Sequence, residues 1–327
     1  MFNIKGRELN IEKEKKKSET QSVRTIFIIS KIITFSKSIS SISIGIASME
    51  AESMPRPHLL DILSTLQYPD QCWSPNTLKA RITLNYRAIP YTQSFVSYPD
   101  IAPISQRLRI PARQDDEIQY TLPAIIHPAS LGNANPAIND SVQIALHLEQ
   151  VYDAANGHPS IFPTPSSLAI AREVESLLRC KGGAVDSCRP IVYPRVAAFL
   201  DERGREYFEY TRRGYRGIKI STILPKTEAE MNLVYWNVER GFTKIVEMLA
   251  GGNSKEGPFF EGELFGFADA VVLGVLGWFQ KADQVLFERV TNLGDGALKR
   301  MWEASQQWMR GQGEEKSTDE ALSEMGL

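Results

Sequence analysis

Three short stretches carry residues able to do chemistry together, in a fixed order: Trp73-Ser74-Pro75-Asn76, Tyr120-Thr121-Leu122-Pro123 and Asn139-Asp140-Ser141. Ser74 precedes a proline suited to the first position of a helix, so its hydroxyl lies beside unpaired N–H groups and the positive end of a helix dipole. Such a place stabilises an anion, and a thiol with an ordinary pKa of about 8.5 loses its proton more readily there. The thiolate would belong to a ligand, with Ser74 donating a hydrogen bond to it and Asn76 and Lys79, one turn in, fixing the ligand. Ser74 also reads as an N-cap and nothing more. Cys72 is the competing nucleophile, although a buried structural thiol is the commoner fate of such a cysteine.

Proline cannot donate to a strand ladder, so Pro123 fits where its peptide bond is cis and the strand edge serves another purpose. The N–H and C=O of Leu122 would then pair with a peptide ligand as a short added strand; an ordinary edge-strand proline is the alternative. Asp140 and Ser141 cap a following helix in the plain reading. They also suit the end group of an amino acid, with the Ser141 hydroxyl and N–H for its carboxylate and Asp140 for its ammonium. Together the three stretches suit a thiol-bearing peptide held as its thiolate.

The chain has 327 residues, with 37 Lys and Arg against 39 Asp and Glu, and this balance argues against a general nucleic-acid binder. Cys72, Cys180 and Cys188 form an odd set without the paired spacing of a zinc site, and His58, His127, His147 and His158 include no H-x-x-x-H pair. A metal centre is not expected, and the cysteines read as reduced thiols of a cytoplasmic protein. Residues 1–24 are rich in Lys and Glu and read as disordered. Residues 25–48 are rich in Ile and Ser, too interrupted for a membrane anchor and too far in for a secretory signal. Residues 1–53 therefore stand apart as an untranslated leader, a degenerate targeting or membrane-surface segment, or a structural element, with Met49 and Met54 as alternative starts.

The elements that must position these residues begin with a strand at Leu59–Leu63 and a helix from Ser74 to Pro90, with Leu78, Ile82 and Tyr86 on one face. A strand follows at Tyr91–Tyr98, then a polar, proline-containing connection over 99–119. Strands at Leu122–His127 and Ala137–Ile138 flank a turn at Gly132–Pro136, and a helix runs from Asp140 to Tyr152. This is the order of a thioredoxin-type α/β domain over 58–155. Beyond a Pro-punctuated linker, helical stripes at 166–180, 190–202, 227–249, 268–280 and 283–309 give an all-α helical-bundle domain over 160–311, with a charged tail at 312–327. The Tyr/Arg run at 207–216 reads as an amphipathic face with snorkelling cations, or as a grip on an acidic or aromatic co-substrate.

The ordered set resembles the glutathione transferase superfamily. Ser74-Pro75-Asn76-Thr77 lies where serine-type members carry the residue facing the glutathione sulfur. Leu122-Pro123 resembles the family's cis-proline loop, and Asp140-Ser141 its acidic-Ser pair. Gly257-Pro258-Phe259-Phe260 with Phe267-Ala268-Asp269 resembles the late helix-capping segment, departing from it at Gly266, where Ser or Thr is usual. More narrowly, Ser74 to Thr77, Tyr98-Pro99-Asp100-Ile101 and Tyr207 to Arg213 resemble the etherase-like branch known from fungi and lignin-degrading bacteria. The resemblance implies glutathione as co-substrate, held by Asn76, Lys79, Leu122, Pro123, Asp140 and Ser141, with Ser74 at its sulfur. It implies a small hydrophobic electrophile between the two domains, near Tyr207, Tyr210 and Arg213, for conjugation or ether cleavage. In fungi the setting would be secondary metabolism. A cytoplasmic homodimer is expected, without metal, nucleic acid or stable membrane insertion. The alternative is a non-catalytic glutathione-binding or regulatory protein on the same fold. A glutaredoxin-like reductase acting through Cys72 fits poorly without a C-x-x-C pair.

Overall fold

The first apolar run forms strand β1 (His58–Ile62), in which every residue is buried. The computed structural model describes residues 55–114, 118–127, 137–212, 219–251, 256–311, 313–324 and 326. Residues 1–53, the Gly132–Pro136 turn and Arg213 thus lie outside the described residues. Strand β1 pairs parallel with β2 (Thr92–Val96), and helix α1 (Pro75–Tyr86) makes the crossover that a parallel pair requires. On its other side β1 pairs antiparallel with β3 (Ala124–Ile126), which pairs antiparallel with β4 (Ala137–Asn139). Two buried polar residues in β1 are satisfied by its neighbours, as burial demands. His58 lies between the hydroxyls of Thr92 and Ser94, at 2.7 and 2.8 Å, while Asp61 accepts from Arg81 of α1 at 2.8 Å.

Helix α2 (Ile101–Arg107) lies within the connection expected to be irregular. It has seven residues and buries Ile101 and Ser105, too short a stripe for its period to be read from sequence. Helix α3 (Ser141–Val151) follows β4. The helical half comprises α4 (Ser167–Arg179), α5 (Ala184–Ser187), α6 (Arg189–Ala198), α7 (Glu202–Arg212), α8 (Glu228–Ala250), α9 (Phe267–Ala282), α10 (Gln284–Thr291), α11 (Leu293–Ala304) and α12 (Gln306–Met309). The single stripe expected over 283–309 is divided. Asp283 caps α10 by accepting from the Leu286 N–H at 2.8 Å, and Gly294, Asp295 and Gly296 take positive φ at the start of α11.

Helix α9 is buried at every position from Phe267 to Phe279, the signature of a helix enclosed on all sides. It rests on the first turn of α1 because two positions lack side chains. A Cβ at Gly274 would stand 2.4 Å from the Pro75 carbonyl oxygen, and one at Gly277 would stand 2.8 Å from Leu78. The start of α1, with Ser74, is thereby held against the helical half. The expected charged tail folds back on the sheet: β5 (Glu314–Glu315) pairs parallel with β2, giving the strand order β4-β3-β1-β2-β5. Helix α13 (Thr318–Glu324) then buries Ala321 and Leu322. The architecture is a thioredoxin-like mixed sheet followed by a helical domain.

Candidate active site

Ser74 precedes α1 with extended backbone angles (φ −68°, ψ 130°), the usual N-cap geometry, yet its side chain makes no capping bond. It is 4% exposed and lines an apolar cavity of about 140 Å³. The Leu78 N–H reaches the Ser74 carbonyl at 2.9 Å and begins the helical ladder. The N–H groups of Asn76 and Thr77 therefore remain at the positive end of α1. The Ser74 hydroxyl thus lies at the positive end of α1, a place suited to an anion. Tyr98, Tyr207, Phe208, Tyr193, Trp73 and Trp278 give this cavity aromatic walls.

A polar groove of about 340 Å³ adjoins it, sharing Asn76, Thr121, Leu122 and Arg179 with the apolar cavity. Asn76, Lys79, Leu122, Pro123, Asp140 and Ser141 all line this groove, although they come from α1, the β3 approach and the start of α3. The Leu122–Pro123 bond is cis, and the N–H and C=O of Leu122 make no hydrogen bond among the described residues. Asp140 has φ 78°, an uncommon value for a residue with a side chain. Its Oδ1 accepts from the N–H groups of Val142 and Gln143, at 2.9 and 3.3 Å, so one carboxylate oxygen caps α3. The Ser141 hydroxyl has no partner among the described residues.

Lys79 is buried and donates to both oxygens of Glu175 on α4, at 2.9 and 3.1 Å. Burial holds the Lys79 ammonium below its ordinary pKa. Burial would raise the Glu175 carboxyl, but the Lys79 and Arg179 charges outweigh it and leave it below its ordinary value. Arg179 donates to Glu175 and to the Asn76 side-chain oxygen. This network ties the groove wall on α1 to the helical half.

Two family models match the chain: the glutathione S-transferase N-terminal domain over residues 70–156 and the glutathione S-transferase C-terminal domain over residues 179–308. A glutathione S-transferase-like protein of Aspergillus flavus, ustS, is 40% identical over 263 residues, spanning 79% of this chain and 93% of the relative. The chain belongs to the glutathione S-transferase family. Among solved structures, the glutathione S-transferase CsGST63524 of Ceriporiopsis subvermispora, in complex with glutathione, is 27% identical, with a TM-score of 0.66 over 77% of this chain and 97% of that one. GSTFuA3 of Phanerochaete chrysosporium is 26% identical, with a TM-score of 0.66 over 78% and 98%.

For this glutathione S-transferase family member, the structure bears on the competing nucleophile Cys72 and corrects the expected place of Tyr210. Cys72 does not share the Ser74 cavity: it lines a separate one with Leu78 and Arg81. Burial, aided by the charge of Asp61, pushes its thiol up to about 12. Tyr210 is 72% exposed and lies outside the cavity lining, while Tyr207 lines the cavity. The inward face of α7 runs through Gly204 and Phe208, which are buried, and Arg212 one turn beyond Phe208 reaches the cavity.

The departure at Gly266 has a local counterpart. Asp269 accepts the Gly266 and Phe260 N–H groups at 2.8 and 3.0 Å, and burial pushes its carboxyl up to about 7. The buried Glu261 carboxylate accepts from the Ser167 hydroxyl at 2.9 and 2.7 Å and from Thr164, joining the start of α9 to the start of α4. Arg113, Glu175 and Arg179 also line the groove, but no local pattern marks them in the sequence, whereas Asn139 belongs to the Asn139-Asp140-Ser141 stretch. Tyr98 and Arg212 fall inside stretches that resemble the etherase-like branch, which was their only signal. Among the described residues, no helix is long and apolar enough to cross a membrane, and no group of three or more His, Cys, Asp or Glu could hold a metal ion.

Proposed function

We propose that this protein is a glutathione transferase in which Ser74 holds the glutathione sulfur as its thiolate. The supporting observation is that the Ser74 hydroxyl, free of any capping bond, lies at the start of α1 on a cavity that shares four residues with the polar groove. Glutathione would lie in the groove. Its backbone would pair with Leu122 beside cis-Pro123, and its γ-glutamyl end would meet Asp140 and Ser141, with Asn76 and Lys79 along its length. The sulfur then points toward the apolar cavity, where Tyr207 contacts the electrophile. The thiol proton leaves to solvent, sulfur forms a bond to the electrophilic carbon, and the leaving group departs with its bonding pair. Catalysis rests on supplying and aligning a thiolate at neutral pH.

The finer reading is an etherase-like enzyme of fungal secondary metabolism, cytoplasmic and homodimeric. It would perform conjugation or cleavage at an ether-bearing carbon. A non-catalytic glutathione-binding or regulatory protein is the alternative. The missing hydroxyl at Gly266 favours that alternative less once Asp269 and Glu261 tie the start of α9. The deciding experiment is a pH titration of the thiolate absorbance of bound glutathione. A bound pKa at least about one unit below the free thiol, near 8.5, is expected. Binding without a shift would favour the alternative, and no binding would refute both.

A further inference from the structure

We infer that the electrophile is a planar aromatic compound bearing an anionic group, recognised by Arg212; this rests on the transferase reading above. The apolar cavity is lined by two cations, Arg179 and Arg212, and by no Asp or Glu among the described residues. Arg179 is committed to Glu175 and Asn76. Arg212 donates to the Thr211 hydroxyl at 2.8 Å and makes no ion pair among the described residues. A guanidinium stays charged throughout the physiological range, so Arg212 brings an unbalanced positive charge to an aromatic wall.

Its surroundings specify the shape of the complement. The guanidinium carbon lies 4.8 Å from the Phe208 ring centre and 5.5 Å from that of Tyr98. Cation–π contact of this kind engages its faces and leaves edge N–H donors suited to a carboxylate. Tyr98 in turn stacks on Tyr207, with centroids 6.1 Å apart and planes 13° from parallel. Trp73 and Trp278 add their ring surfaces to the lining. The cavity thus offers ring faces and the Arg212 guanidinium, with no acidic side chain among the described lining residues to repel an anion. Arg212 also sits in the last turn of α7, where a cation favours the helix dipole, but an arginine turned to solvent would meet that need equally.

The test uses 4-chloro-3-nitrobenzoate and its methyl ester, which differ by one charge. In both, the glutathione thiolate bonds to the chlorine-bearing carbon and chloride leaves with the bonding pair. The ratio of kcat/KM for acid over ester should fall at least ten-fold in Arg212→Met and recover in part in Arg212→Lys. A ratio within two-fold of wild type in Arg212→Met would overturn the inference. Calorimetry of the two corresponding S-aryl glutathione conjugates reads the same preference without turnover, and equal affinities for wild type would also overturn it. Failure to bind glutathione itself would instead sink the transferase reading.

Discussion

Replacing Gly266 by Ser would supply the hydroxyl usual in the family at the start of α9, and it should destabilise this protein. At an ordinary N-cap, the change from Gly to Ser gains a few tenths of a kcal/mol. Here the new Cβ would stand 2.9 Å from Glu261 Oε2, so the carboxylate must move. That carboxylate is buried and accepts from Ser167 on both oxygens. A hydrogen bond to a charged group contributes about 1.5–3 kcal/mol, so losing one outweighs the cap and leaves a net loss of about 1–2.5 kcal/mol. For a protein of this size, the melting temperature should fall by about 2–4 °C in calorimetry. The cost should shrink or reverse in a Glu261→Ala background, because the obstructing group is gone. A Gly266→Ser protein as stable as wild type, or an equal cost in both backgrounds, would refute the argument.

Ser74→Ala should leave the melting temperature nearly unchanged, since the hydroxyl makes no hydrogen bond among the described residues, while turnover falls about ten- to hundred-fold through loss of a charge-assisted hydrogen bond. A melting drop matching the turnover loss would mark a cap instead. Of the three thiols, Cys180 is exposed, whereas burial raises the pKa of Cys72 and Cys188. A disulfide reagent at pH 8 should therefore modify one thiol in the native protein and three in denaturant. Burial holds His58 and His147 down to about 4 and lowers His127 as well. Their folded pKa values lie below the unfolded 6.5, so the stability they contribute is full above pH 6.5 and is lost as pH falls toward 4. Asp269, raised to about 7, opposes this, since its contribution is lost as pH rises from 3.8 through 7. Three histidines outweigh one carboxyl, so urea midpoints should drop between pH 6.5 and 4, and less so in His147→Gln.

The start of α1 could be read from sequence because Ser74-Pro75 carries its own geometry, and the same holds for Leu122-Pro123 and Asp140-Ser141. These are local signals, and the residues carrying them meet along one groove and the cavity beside it. The groove's ionic wall was hidden because Lys79 and Glu175 are 96 residues apart and nothing near either announces the other. Arg212 lies in a run of similar residues, and the helical phase that brings it to the cavity at the end of α7 is not marked by any local pattern. Helix α2 and strand β5 are too short for periodicity, and the charges around β5 suggest solvent. The break between α10 and α11 turns on backbone angles at Gly294 to Gly296, which an apolar stripe does not reveal.

Because β5 follows the whole helical half in sequence, the sheet that bears the polar groove is completed only after that half has been made. Strands β1 to β4 leave the ribosome first, with the outer edge of β2 open to any extended segment that meets it. The whole helical half must then emerge before residues 314–315 can close that edge. Premature termination anywhere in the helical half would therefore leave a sticky strand as well as a missing domain, and quality control would meet both defects at once.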